Sequence, residues 1–464
     1  MKHPGRVHFV GIGGAGMSAI AAVLLAKGVE VSGSDLKESQ NTARLSELGA
    51  RINIGHRPEH VEGADIVVVS SAVPERNREL VRARELSLPV LPRAAMLARL
   101  MEEGKGIAVA GTHGKTTTTS MVAMILAHAG MDPTYVVGGE LNDVGSNAYA
   151  GSGEYVVAEA DESDGSFLLL KPWAAIVTNV DVDHLDFFGD PRRLQEYFAR
   201  FVSLVPPDGI VVVGGDDMGA RSLLGKSGAR EVTFGKGEDN DYRFRDLRLY
   251  AGGSSCRVLF GGEELGGIEL GIPGAHNVYN AMAATALAHT LGVDFPVIAG
   301  ALSSFRGVRR RYQRVSEVGG IRIIDDYAHH PSEISSTLEA AVLERERRLV
   351  CLFQPHRYSR TAALWKEFGN AFSRADLIIL TDVYAAGEDP LPGVDGKLIV
   401  NAVLEADPGK QVVYIPRRSA LGEAALRFIR PGDLILTMGA GDISLCAMEI
   451  TDLLRDREGN GERA

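Results

Sequence analysis

Residues Gly111 to Thr117 read Gly-Thr-His-Gly-Lys-Thr-Thr and follow the apolar run Ile107 to Ala110. Glycines at a strand-to-helix turn let backbone N–H groups approach phosphate oxygens. A lysine there adds a point charge, and a threonine hydroxyl can hold Mg2+. Gly111, Thr112, His113, Gly114, Lys115, Thr116 and Thr117 are therefore expected to bind the phosphates of ATP or a close relative. The common spacing G-x-x-x-x-G-K-[ST] needs a glycine at position 109, where Val109 stands. The loop is shorter than the usual one. The chemistry it implies is nucleotide consumption, with no statement of what the energy is used for.

Other stretches could carry chemistry beside it. Gly11-Ile12-Gly13-Gly14-Ala15-Gly16 follows an apolar run, and Asp35 ends the next one. Read alone, this is a diphosphate fingerprint, with the pyrophosphate on a helix N-terminus and the acid on a ribose. NAD and a UDP-sugar both fit. Glu159-Ala160-Asp161-Glu162-Ser163-Asp164 follows a strand, where carboxylates can ligate Mg2+; a solvated acidic loop is in general commoner, but the phosphate loop supplies a reason for metal here. Thr178 to Asp186 repeats the pattern with His184, which can bind metal or merely cap a turn.

Asn277 reads as a helix N-cap, while Asn280 lies one turn inside, where capping explains it less well. Arg309-Arg310-Arg311 suits a phosphate or carboxylate partner in a net-acidic chain. Asp325-Asp326-Tyr327-Ala328-His329-His330-Pro331 and Gln354-Pro355-His356-Arg357-Tyr358-Ser359-Arg360-Thr361 both follow apolar strands, where open α/β sheets bind ligands. Arg357 and Arg360 would share one face if that segment is helical, and would suit a carboxylate. No Ser-His-Asp or Cys-His set stands out.

These residues must be held by something. Strands at Val7–Ile12, Val29–Ser32 and Ile66–Ser71 alternate with a helix at Met17–Ala26, which implies a doubly wound α/β domain. The composition turns polar around Glu102 to Gly106, the first expected boundary. Strands at Tyr155–Ala158, Ala174–Thr178 and Ile210–Val213 continue the pattern, with helices at Lys115–Ala129 and Asn277–Leu291. Gly-rich, strand-like runs from Phe234 to Ile272 suggest a small antiparallel sheet. After the arginine-rich joint Arg306–Arg314, five more apolar runs from Ile321 to Met438 predict a second doubly wound sheet. The expected domains are 1–104, 105–312 and 313–464, with a frayed tail after Arg457.

Composition bounds the rest. The chain has 464 residues, 45% apolar and 23% charged, with net charge −11. That length implies about three domains. An acidic surface argues against nucleic acid as a partner. No apolar run reaches the ~18 residues of a membrane span, so no membrane partner is expected. Met1 to Arg6 lead into a strand with no signal-peptide pattern. Three scattered cysteines suit a reducing cytosol rather than a disulfide framework.

Taken together, GIGGAGMS, GTHGKTTTT, EADESDGSF, TNVDVDHLD, HNVYNA, DDYAHHP, QPHRYSRT and DVYAAGEDP resemble the Mur ligases of peptidoglycan synthesis, over nearly the whole chain. The resemblance implies an α/β protein of three domains. These are an N-terminal Rossmann-like UDP-binding domain, a central P-loop ATPase domain with a parallel sheet plus a small antiparallel one, and a C-terminal Rossmann-like domain. It implies a cytoplasmic ligase that joins L-alanine to the lactyl carboxylate of UDP-N-acetylmuramate through an acyl phosphate, using ATP with Mg2+ or Mn2+. A monomer or weak homodimer is expected.

By the same resemblance, Lys115 would meet the β/γ-phosphates, and Thr116, Glu159 and His184 would hold the metal. Asn280, Arg310, Arg311 and Asp326 would meet nucleotide. Gly11, Gly13, Gly14, Gly16, Asp35, Ser70 and Ser71 would hold the UDP part. Tyr327, His356, Arg357 and Arg360 would serve the amino acid, and His329 or His330 would help deprotonate its amine. The third domain would close over the other two. One departure is expected. Several Mur ligases carry a carbamylated lysine after the metal histidine; here no lysine lies between Lys171 and Lys226, and the counterpart is Gln195.

Overall fold

Five strands build the N-terminal sheet, the inner three largely buried and the two edges not: β1 (Arg6–Val10), β2 (Glu30–Asp35), β3 (Arg51–Ile54), β4 (Ile66–Val69) and β5 (Val90–Pro92). Their order is β3-β2-β1-β4-β5, and every pairing is parallel. The computed structural model describes residues 5–70, 72–142 and 145–461, with the side chains of Leu185, Asp186 and 459–461 outside that description. The chain forms two compact units. One holds the residues up to Phe244 with Val258–Gly266 and Tyr279–Leu302; the other holds Arg245–Arg257, Gly267–Val278 and the chain from Ser303.

The helix Ala15–Ala26 is apolar nearly all round, and Met17, Ile20, Val23 and Leu24 are all buried. A helix without a polar face must be covered on more than one side. It packs on the N-terminal sheet and also against β7 (Thr134–Leu141) and β8 (Ser146–Tyr149) of the next sheet. Asn147 Nδ2 donates to Ala15 O at 3.1 Å, and Arg44 Nη2 to Ser146 Oγ at 2.7 Å. The N-terminal sheet is thus fastened to its neighbour at the start of that helix.

The second sheet adds β6 (Lys105–Ala110), β9 (Tyr155–Glu159), β10 (Ala174–Val177), β11 (Ile210–Gly214), β12 (Arg230–Gly235), β13 (Tyr242–Tyr250), β14 (Gly253–Phe260) and β15 (Glu263–Leu270). The order is β15-β14-β13-β12-β11-β10-β6-β9-β7-β8. β6 lies between β10 and β9, parallel to both. Ile107, Ala108, Val109 and Ala110 have no exposed surface, as expected of a parallel strand covered on both faces. The Gly-rich run after Phe234 is not a separate small sheet: β13 joins β12 in parallel at Phe234↔Tyr242 and continues the large one.

In the other unit β16 (Gln313–Val318), β17 (Ile321–Asp326), β18 (Leu349–Phe353), β19 (Leu377–Leu380), β20 (Gln411–Tyr414) and β21 (Leu434–Met438) form a sheet of order β16-β17-β21-β18-β19-β20. Only the β16–β17 pair is antiparallel. The tail expected to fray after Arg457 is helical as far as Gly461, and 462–464 lie outside the described residues: Ser444–Gly461 is one helix, anchored by the buried Cys446, Ala447, Ile450 and Leu454. Burial of that stripe sets the helix, and the last turn propagates from it. None of the described helices is long and apolar enough to cross a membrane.

Candidate active site

The phosphate loop leaves β6 and enters the helix Lys115–His128, with Gly114 at its N-cap in the left-handed region at φ 82°. The segment after β10 clamps it from the side. Thr112 N donates to Asn179 O at 3.1 Å and His113 N to Asn179 Oδ1 at 2.9 Å. His113 O accepts from Thr178 Oγ1 at 2.7 Å and from Asn179 Nδ2 at 3.0 Å. Asp181 N donates to Thr112 Oγ1 at 2.9 Å. Thr178 and Asn179 are therefore loop supports. The sequence drew notice to the acids beside them and missed these two.

Lys115 Nζ donates to Gly111 O (2.6 Å), Thr112 O (3.2 Å) and Glu162 Oε1 (2.9 Å). His184 Nε2 lies 3.9 Å from the same Glu162 oxygen. Burial drives the Glu162 carboxyl up to about 7, and the Lys115 charge keeps it from rising further. Lys115 itself stays charged: burial opposes its charge, and Glu162, Asp161 and Glu159 outweigh that. Glu159 is placed differently from Glu162. Its Oε1 accepts from Gly138 N at 2.9 Å, across from β9 to β7. The carboxylate in contact with the loop lysine is thus Glu162, whereas the acid singled out from the sequence was Glu159. His184 holds a left-handed backbone at φ 54°, and its carbonyl accepts from Phe187 N and Phe188 N. The turn-capping role falls to its backbone, and its imidazole Nε2 lies between Asp183 Oδ2 at 3.7 Å and Glu162.

Asn280 sits on the helix Ala275–Thr290 with Oδ1 accepting from Thr118 Oγ1 at 3.2 Å. The same oxygen lies 2.2 Å from where a Cβ on Gly114 would stand. Asn280 therefore packs against the phosphate loop. Asn277 is inside the first turn rather than at the N-cap; its Nδ2 donates to Pro273 O at 2.7 Å. Tyr279 OH donates to Asp216 Oδ2 at 2.9 Å, a support with no signal in the sequence. The Gln195 amide donates to Gly219 O and Ser222 Oγ at 2.8 and 2.7 Å.

The N-terminal glycine turn lies at the carboxyl end of β1, between β2 and β4, where the strand order reverses. Asp35 was expected on a ribose. In the structure its Oδ2 accepts from Gly13 N at 2.8 Å and its Oδ1 from Leu36 N at 2.7 Å, so it holds the turn. Gly14 is the N-cap of the following helix. Arg93 was missed. Its Nη1 lies 2.8 Å from where a Cβ on Gly16 would stand, and its Nη2 lies 3.3 Å from Asp161 Oδ2. It joins the glycine turn to the acidic stretch. Ser70 N donates to Val10 O at 3.3 Å, beside the turn; Ser71 lies outside the described residues.

The other unit gathers the third set. Arg310 Nε donates to Asp325 Oδ2 at 3.1 Å and its Nη2 to Gly439 O at 2.7 Å. Arg310 and Arg311 lie 5.0 and 5.1 Å from the Tyr327 ring centre. Asp326 accepts from Tyr312 N and Ala328 N, both at 2.7 Å, and burial pushes it up to about 6. His330 is the N-cap of the helix Pro331–Val342, with Glu333 completing a capping box. His329 Nδ1 lies 3.4 Å from Glu333 Oε2, and its ring sits 5.9 Å from that of His356. His356 stacks on Tyr384 at 5.7 Å, and burial with four neighbouring cations or imidazoles drives its pKa down to about 3. It is neutral at physiological pH.

Arg357 and Arg360 do not share a helical face as expected. Arg357 is the N-cap of the helix Tyr358–Ala371, in the left-handed region at φ 69°, and Arg360 lies inside the helix and is buried. A left-handed arginine is strained, and such strain is commonest at working sites.

Residues 6–105 match the family model described as Mur ligase family, catalytic domain. Residues 109–288 match the Mur ligase middle domain, and residues 310–441 the Mur ligase, glutamate ligase domain. A UDP-N-acetylmuramate–L-alanine ligase of Pelotomaculum thermopropionicum is 49% identical over 454 residues, 98% of each chain. One of Rubrobacter xylanophilus is 48% identical over 448 residues, covering 96% of this chain and 99% of that one. The solved UDP-N-acetylmuramate-alanine ligase of Thermotoga maritima superposes with a TM-score of 0.84 at 32% identity, covering 98% of this chain and 100% of that one. A murein peptide ligase of Psychrobacter arcticus gives 0.73 at 25% identity, over 97% and 98%.

Proposed function

The chain belongs to the Mur ligase family, and on that premise we propose that it joins L-alanine to the lactyl carboxylate of UDP-N-acetylmuramate at the expense of ATP. This would be the first amino-acid addition to a peptidoglycan precursor. The observation that carries the reading is the clamped phosphate loop with Lys115 at its centre, in a chain similar along its length to L-alanine-adding ligases.

A free carboxylate resists attack by an amine. Transfer of the γ-phosphoryl group of ATP to a carboxylate oxygen gives an acyl phosphate and ADP. The amine of L-alanine then attacks the carbonyl carbon, loses a proton, and expels phosphate to leave the amide. Lys115 supplies positive charge where the phosphoryl group carries negative charge in transit. The loop N–H groups hold the phosphates still, and positioning contributes most of the rate. Thr116, Glu159 and His184 are the residues assigned to Mg2+ or Mn2+, which when bound neutralises phosphate charge. The glycine turn with Asp35 and Ser70 takes the UDP part; Arg357, Arg360, Tyr327 and neutral His356 take the amino acid. His330 Nδ1 caps its helix and His329 Nδ1 lies 2.9 Å from Tyr327 O, so either ring would serve as base through Nε2. The finer readings are domains divided at 104 and 312, a cytoplasmic location, and a monomer or weak homodimer.

The expected result is phosphate release from ATP only when UDP-N-acetylmuramate and L-alanine are both present. Release that ignores L-alanine, or that needs a whole tripeptide in its place, would overturn the reading.

A further inference from the structure

Glu162 is fully inside the protein, its side chain 1% exposed, and it faces the phosphate loop. Its Oε1 contacts Lys115 at 2.9 Å and lies 3.9 Å from His184 Nε2. Its Oε2 is buried with no hydrogen-bond partner among the described residues. A buried carboxylate oxygen left unmatched forfeits its solvation without compensation, so each such atom in a folded protein calls for a cause. The neighbouring acid does not supply the same atom, because Glu159 turns Oε1 to Gly138 N. Gln195 supplies no anion, and its amide is turned to Gly219 and Ser222.

ATP makes the problem sharper. Phosphates drawn to Lys115 arrive beside the Glu162 carboxylate, and like charges in a water-poor site repel strongly. A divalent cation between the two relieves the repulsion and supplies the missing partner. We propose that Glu162 is a direct ligand of the divalent cation that accompanies ATP, with Oε2 on the ion and Oε1 retained by Lys115. The proposal rests on the ATP-dependent reading above. It adds to Glu159 and His184 a carboxylate that needs no modified lysine.

The test titrates the full chain with Mn2+ and follows the free-ion signal by electron paramagnetic resonance, with saturating β,γ-imido-ATP present. Binding of the same analogue in EDTA is measured separately. Glu162→Gln is expected to weaken Mn2+ binding at least tenfold. Its analogue binding in EDTA should be no weaker than that of the parent, because a negative charge beside the phosphates is gone. Unchanged Mn2+ binding overturns the proposal. So does an equal weakening of both, which would make Glu162 a prop for the loop. If Glu162→Gln fails to fold, Glu162→Asp decides: weaker Mn2+ binding with unaltered binding in EDTA supports the proposal, and parental Mn2+ binding overturns it. A parent protein that binds no analogue with or without Mn2+ would sink the ATP reading, and the proposal with it.

Discussion

Lys115→Ala is expected to lower kcat by at least about a thousandfold, the upper range for removing one preorganised charge from a transition state. Binding of UDP-N-acetylmuramate should stay within about twofold of the parent, because changes at separate sites act nearly independently. The two sites stand on different sheets: the lysine follows β6, and the glycine turn follows β1. The variant should also fold. Removing a partner from a buried ion pair usually costs about 3–5 kcal/mol, since the other charge is stranded. Glu162 escapes most of that cost. Its carboxyl already sits at about 7, and without Lys115 the one strong influence holding it down is gone. It rises further, is protonated at neutral pH, and carries no charge to strand. Steady-state rates and calorimetric titration with the UDP-sugar check both halves. A variant with near-parental kcat would remove Lys115 from the chemistry. Loss of UDP-sugar binding in a folded variant would contradict the division between the sites.

Gly111→Ala should be nearly as damaging for a different reason. Gly111 has φ 131°, a region that side chains other than hydrogen rarely adopt. An added Cβ would stand 2.0 Å from Thr178 Oγ1, 3.0 Å from Thr178 N and 3.1 Å from Asn179 O. Those same groups clamp the loop, so relief must come by moving the clamp or the loop. Backbone strain and overpacking each cost about 1–3 kcal/mol. A loss of about 3 kcal/mol in urea unfolding and at least about a hundredfold in kcat is expected, the latter because displaced groups lose near-attack geometry. Adding Thr178→Ala removes only the nearest atom and should restore a minor part of the stability. Full rescue by the double variant would show that the backbone conformation at Gly111 is unimportant.

The phosphate loop was legible because two independent signals coincide: an apolar β-branched run and a glycine-lysine turn. Its odd length did not hide it. The parallel strands were legible for the same reason, being continuous apolar runs. β3 and β5 were not; Arg-Ile-Asn-Ile and Val-Leu-Pro are short edge strands, held by neighbours more than by their own pattern. β13 to β15 were seen as strands but assigned to a separate sheet, because pairing partners are not written in a strand's own residues. In the site, residue type was legible and side-chain direction was not. Glu159, Asp161 and Glu162 are chemically alike and adjacent; only the turn after β9 sends Glu162 to Lys115. His330 stands at a helix start, where its Nδ1 makes a cap that its residue type alone did not announce. Arg357 fell one residue outside the helix expected to hold it, and took a backbone conformation no propensity would assign.

The central claim is that ATP activates the lactyl carboxylate by phosphorylating it. UDP-N-acetylmuramate labelled with 18O in that carboxylate tests it directly, with the released phosphate analysed by mass spectrometry. Formation and aminolysis of an acyl phosphate predict one 18O in each phosphate released during turnover with L-alanine. Phosphate free of 18O, or label appearing in AMP, would contradict the account.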